Sequence, residues 1–171
     1  MKGKLACWWL LICVGSAAQN SNALTAWQPS AETRMESNTN VSPIRCSILC
    51  SNDARHTWVQ ARFSNTTDHA VSVLERNLLR TSGLTWSAFE VTRNGQPVPY
   101  TGITIKRTPP GPSEFYQMKP HESVATKVEL GRFYDFSKPG SYAIKYLAVN
   151  PPTSNSPLFI IESATFALQR R

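Results

Sequence analysis

From residue 43 onward apolar side chains recur at every second position, the period of a strand with one buried face. Ile44, Cys46, Ile48 and Cys50 alternate with Arg45, Ser47 and Leu49. Thr57, Val59, Ala61 and Phe63 form the apolar set of a second strand, which Ser64-Asn65-Thr66-Thr67-Asp68 ends as a turn cluster. Val71 and Val73 open a third. The stretch from Val73 to Arg80 reads as strand or extended loop, although Leu74, Leu78 and Leu79 also fall near helical spacing. Phe89 and Val91 alternate with Glu90 and Thr92 up to Asn94-Gly95, the dipeptide that best supplies the positive φ angles of a type I′ hairpin turn. Beyond it Val98 and Tyr100 share a face. Pro97 and Pro99 cannot donate to a ladder, so this strand belongs at a sheet edge or a bulge.

The pattern continues to the end of the chain. Ile103 and Ile105 predict a short strand before the break at Thr108-Pro109-Pro110-Gly111-Pro112, and Phe115 to Met118 predicts another. Val124, Thr126, Val128 and Leu130 follow the turn at Lys119-Pro120; Tyr142, Ile144 and Tyr146 follow that at Lys138-Pro139-Gly140. Asn150 to Pro157 is a loop, and Leu158 to Leu168 a last strand. Short strands at near-regular spacing, without a long amphipathic helix, predict an all-β fold. The expected architecture is a single antiparallel immunoglobulin-like β-sandwich of about seven or eight strands over residues 43–171.

The N-terminal residues follow a different rule. Lys2 and Lys4 precede the apolar run Leu5 to Val14, and Ser16-Ala17-Ala18 supplies small residues for cleavage. Residues 1–18 are read as a secretory signal, too short to span a membrane, and residues 19–42 as a flexible polar leader. Ile12 stands before Cys13, where a lipoprotein signal wants a small residue. The predicted location is periplasmic or extracellular. The chain carries a formal charge of +7 from 18 Lys and Arg against 11 Asp and Glu; without Lys2 and Lys4 it is 16 − 11, or +5. These charges are scattered, which describes a solvated surface with weak steering toward acidic partners. The 12 Pro and 8 Gly agree with a turn-rich β protein.

Residues with catalytic or ligand-binding chemistry are sparse. His121-Glu122-Ser123-Val124-Ala125 opens like a zincin motif, but Ala125 stands where the second histidine must be, and a turn leads into a strand rather than a helix. The three histidines, His56, His69 and His121, show no ligand spacing. Neither a nucleophile elbow nor a phosphate-cradling glycine loop is present. The carboxylates are scattered, and Lys106-Arg107 with Tyr116 is too thin for a nucleic-acid stripe. No catalytic residue, metal or cofactor is predicted, and no nucleic-acid partner. Cys46 and Cys50 on one extended strand would stand about 13 Å apart, too far for a disulfide. Either the segment bends and bridges, or two thiols fill core positions. Asn65-Thr66-Thr67 and Asn40-Val41-Ser42 match glycosylation sequons and read as turn and linker residues.

An ordered series of residues carries a family resemblance. It runs from Phe63-Ser64-Asn65-Thr66-Thr67-Asp68 through Phe89 to Gly102, Lys106-Arg107, Tyr116 and Pro120, and closes on Tyr134-Asp135-Phe136-Ser137-Lys138-Pro139-Gly140-Ser141-Tyr142. Over roughly residues 44–149 the chain resembles the N-terminal β-sandwich of deuterolysin-like peptidyl-Lys metalloendopeptidases, where that domain behaves as a pro-region. The outer parts of the series also resemble bacterial immunoglobulin-like modules, including BsuPI-type proteinase inhibitors. The zinc-binding catalytic half of the family is absent from this series. The resemblance implies a non-enzymatic, protein-binding module, acting as inhibitor or chaperone of a secreted protease.

The other reading is an envelope- or carbohydrate-binding module using Trp58 and Trp86 as stacking platforms. An aromatic in a sandwich is more often core than platform, so the burial of Trp86 separates the two. Lys106, Arg107, Phe115 and Tyr116, around the proline-rich break, are the candidate partner-binding residues. Loops at a sandwich end carry recognition, and arginine and aromatics anchor interfaces. In the plainer alternative Phe115 and Tyr116 start a core strand and the prolines merely turn the chain.

Overall fold

The computed structural model describes residues 42–53, 55–80 and 83–171. The expected export signal lies outside the described residues, as does the leader apart from Ser42. Strand β1 (Ile44–Asn52) pairs antiparallel with β2 (Thr57–Asn65). The other edge of β2 pairs with β7 (Ser123–Glu129) to complete a three-stranded sheet. β3 (Val71–Leu74) and β6 (Phe115–Met118) form a two-stranded ladder. The larger sheet is built on β8 (Gly140–Asn150), the longest strand. On one side β8 carries β4 (Phe89–Arg93), which carries the short edge strand β5 (Gln96–Pro97). On the other it carries β9 (Phe159–Glu162) and β10 (Phe166–Arg170). The two sheets face each other, and Phe63 of β2 meets Tyr146 of β8 edge-on at 5.3 Å between ring centres.

The period-2 reading holds. Val59, Ala61, Phe63, Tyr142, Ile144 and Tyr146 are all fully buried on the inner faces. Asn94 and Gly95 have φ of 49° and 79°, as the I′ turn requires, with Arg93 facing Gln96 across it. Two local expectations are corrected. Residues 103–105 are not a strand: Ile103 and Ile105 are exposed, and the segment lies along 84–86 instead of entering a ladder. The ambiguous stretch divides, with β3 giving way to a 3₁₀ turn over Glu75–Leu78. β9 and β10 are halves of one bent strand. Glu162 faces Leu147 and Phe166 faces Ile144, so Ser163, Ala164 and Thr165 oppose only Lys145 and Tyr146. Ser163 fills the gap of this bulge: its Oγ accepts the Tyr146 N–H at 3.0 Å.

β1 is straight, so Cys46 and Cys50 both lie on its core side and are free thiols. Burial pushes each up to about 12, so both stay protonated and fill space as small apolar groups.

Three asparagines join the ladders where the backbone cannot. Asn150, fully buried at the end of β8, accepts the Leu74 N–H at 2.8 Å and donates to Ser72 O at 3.1 Å. Its carboxamide thus serves the β3 edge as a strand would. Asn77 donates to Val149 O at 3.0 Å and accepts the Tyr146 hydroxyl on its own carbonyl at 2.5 Å. Asn65 donates to His69 O at 2.8 Å and Lys119 O at 2.9 Å, clasping the two turns between β2–β3 and β6–β7. Its sequon is structural, because that carboxamide is buried and occupied.

Candidate functional site

The residues before the proline-rich segment are held against the 84–86 stretch. Thr101 N–H donates to Phe133 O at 2.9 Å, and Ile105 N–H to Thr85 O at 3.2 Å. The Tyr100 hydroxyl lies 2.8 Å from Leu84 O and 3.1 Å from Ile103 O. This requires Gly102, since a Cβ there would collide with the Tyr100 ring and Phe133.

Arg107 consequently turns back toward the sheet, its Nη2 donating to Thr85 Oγ1 at 3.1 Å. With Arg76, Thr85, Trp86, Ile105 and Val149 it lines an open groove of about 320 Å³. Arg76 comes from the 3₁₀ turn and pairs with Glu114 at 3.4 Å. Burial, and then the Arg107 charge, hold the Arg76 guanidinium below its ordinary value, although the Glu114 charge opposes this. The other carboxylate oxygen of Glu114 accepts the Gly111 N–H at 3.0 Å, tying the proline segment to the groove.

Val149 carries the groove onto the outer face of the larger sheet. It stands opposite Ile160 across the β8–β9 ladder, and the two are 55% and 48% exposed. Leu158 and Ile105 are exposed as well. At the other end this face is polar: Glu90 faces Lys145, and Lys145 reaches Glu162 at 2.8 Å. The result is an apolar strip with two arginines and a tryptophan at its margin. Aliphatic and aromatic anchors beside arginine, rimmed by charge, are the chemistry of protein contact.

The four residues singled out from sequence do not share a surface. Arg107 lines the groove, and Lys106 is exposed beside it. Phe115 opens elsewhere, into a cleft of about 380 Å³ with Pro110, Pro112, Pro152, Ser72 and Gln117. Tyr116 turns to the opposite side of β6, packs on the core beneath the Arg80 guanidinium, and donates to Glu122 Oε1 at 2.5 Å. Tyr116 is scaffold. Arg76, Val149 and Ile160 were not legible as site residues, yet a signal existed. Tyr146 to Val149 and Leu158 to Ile161 are unbroken apolar runs, which mark a strand with no solvated face.

The tryptophans bear on the carbohydrate reading. Trp86 is half-buried and packed against the core. Trp58 carries Lys127 Nζ at 4.5 Å from its ring centre. His121 sits at positive φ in a turn with its Nε2 2.9 Å from Asp68, and no group of three His, Cys, Asp or Glu among the described residues could hold a metal ion.

No family model matches the chain. An extracellular protease of Aeromonas hydrophila is similar to it, with 41% identity over 59 residues. The match covers 34% of this chain and 17% of that protein, so the likeness is to a fraction of a protease.

Proposed function

We propose that this chain is an exported, non-catalytic module that binds a secreted protease, and that it docks through the Val149–Ile160 strip and the Arg76–Arg107 groove. The observation that carries this is the uncovered cross-strand pair Val149 and Ile160 beside Trp86 and two arginines. The likeness to part of an extracellular protease supports a protease as the partner. So does the resemblance of residues 44–149 to a sandwich that behaves as a pro-region. The groove's side chains suit anchoring rather than proton transfer, because a guanidinium keeps its proton throughout the physiological range. Export rests on the signal-like N-terminus and on the same protease likeness; no described helix is long and apolar enough to cross a membrane.

The test uses the mature chain immobilised on a column, over which culture medium of the producing organism is passed. Caseinolytic activity is expected to be retained, and the double change Val149→Thr with Ile160→Thr to release it. Activity that flows past the parent would overturn the reading, as would retention equal for parent and variant. Casein cleavage by the purified chain itself would overturn its non-catalytic part.

A further inference from the structure

A carboxylate in the adjoining pocket holds one of the groove's two guanidiniums, and holds it loosely. Glu114 reaches Arg76 at 3.4 Å with about half of its side chain exposed, and its other oxygen is committed to Gly111 N–H. Arg107 contributes a second guanidinium, which donates to a neutral hydroxyl, Thr85 Oγ1. The groove itself is lined by two guanidiniums and no carboxylate, between walls of Trp86, Ile105 and Val149. The apolar walls would gain nothing from a phosphate, which carries no aliphatic group.

Resting on the docking reading above, we infer that the groove recognises a carboxylate set beside an aliphatic side chain in an extended peptide, with Glu114, on the far side of Arg76, as the built-in competitor for that guanidinium. Arg107 and Arg76 would grip the carboxylate, a charge-assisted contact stronger than the hydroxyl contact it supplants. The neighbouring aliphatic group would lie on Val149 and Ile105. Side-chain and chain-terminal carboxylates share this chemistry.

Isothermal titration of the purified mature chain with three peptides tests this. Acetyl-Leu-Glu-Leu-amide carries a side-chain carboxylate, acetyl-Leu-Gln-Leu-amide none, and acetyl-Leu-Leu a terminal one. The glutamate peptide is expected to bind at least about tenfold more tightly than the glutamine peptide, with the difference shrinking at high salt. A terminal-carboxylate peptide binding better still would assign the groove to chain ends. Arg107→Ala is expected to abolish the discrimination with little change in melting temperature. Glu114→Gln should raise affinity for the glutamate peptide several-fold, an effect that a merely structural Glu114 would not produce. Equal binding of the glutamate and glutamine peptides, or no gain from Glu114→Gln, overturns the inference. The two readings fail separately. Protease retention that depends on Val149 but not on peptide charge leaves docking in place and removes carboxylate recognition; peptide discrimination without protease retention does the reverse.

Discussion

The outer faces of the two sheets make the instructive comparison. On the three-stranded sheet the outward positions of β1, β2 and β7 pair as Arg45 with Ser64, Ser47 with Arg62, and Gln60 with Lys127. Ser64 and Ser123 bond across the ladder at 2.8 Å, and Lys127 lies on the Trp58 ring. Leu49 is the one large aliphatic residue there, and it faces Gln60. On the larger sheet the outward pair Val149 and Ile160 continues into Trp86 and Ile105, with no polar side chain interleaved across that ladder rung. Single exposed aliphatics are ordinary; contiguous ones that meet arginine are not. One face is finished against water. The other leaves contiguous aliphatic surface exposed.

That contrast can be broken at several points, the largest effect first. The strip is carried on the end of β8, which depends on Asn150 to hold β3. Asn150→Leu leaves the buried Leu74 N–H and Ser72 carbonyl unpaired, so urea denaturation should show a loss of roughly 3 kcal/mol. A loss below about 1 kcal/mol would mean that water or a shifted loop replaces the latch. Next is the hairpin that begins the opposite edge of the same sheet. A Cβ at Gly95 meets no atom within 4 Å, so any cost of Gly95→Val is backbone strain at φ 79°. A destabilisation of roughly 1–2 kcal/mol is expected in a thermal melt, and a melt matching the parent would refute the positive-φ turn.

Smaller effects sharpen the comparison itself. Val149→Thr with Ile160→Thr keeps β-branched residues in the ladder, so stability should move by less than about 0.5 kcal/mol while protease retention falls. Leu49→Thr on the other face should change neither. If Leu49→Thr impairs retention as much, the two faces are not distinct. The weakest effect belongs to the scaffold beneath Tyr116. The Tyr116 hydroxyl, then the Lys119 N–H, hold Glu122 below the ordinary carboxylate range. A depressed folded pKa stabilises above the unfolded value of about 4.3 and is lost as pH falls through the folded one. Glu122→Gln should therefore lie slightly below the parent at neutral pH and converge with it in acid; a gap that widens on acidification would contradict the assignment.

The strands, their inward residues and the hairpin were readable from sequence because each is a local matter. A period of two sets which face is buried, and Asn94-Gly95 needs only its own φ angles to turn the chain. The edge position of Pro97 was readable for the same reason, since a missing N–H is a property of one residue. Tertiary structure decided what depends on distant partners. Ile103 and Ile105 alternate like a strand, but Thr85 and Tyr100 claim their backbone, so no ladder forms. Asn65, Asn77 and Asn150 look like turn residues, and become latches because ladder edges from elsewhere arrive beside them. Phe115 and Tyr116 are neighbours in sequence and lie on opposite sides of β6, as adjacent strand residues must. Arg76 and Arg107 stand 31 positions apart and share a groove only because the chain from Thr101 to Arg107 folds back along Leu84 to Trp86. Periodicity fixes which side of a strand a residue occupies; which distant strand or loop comes to lie against that side is set by packing.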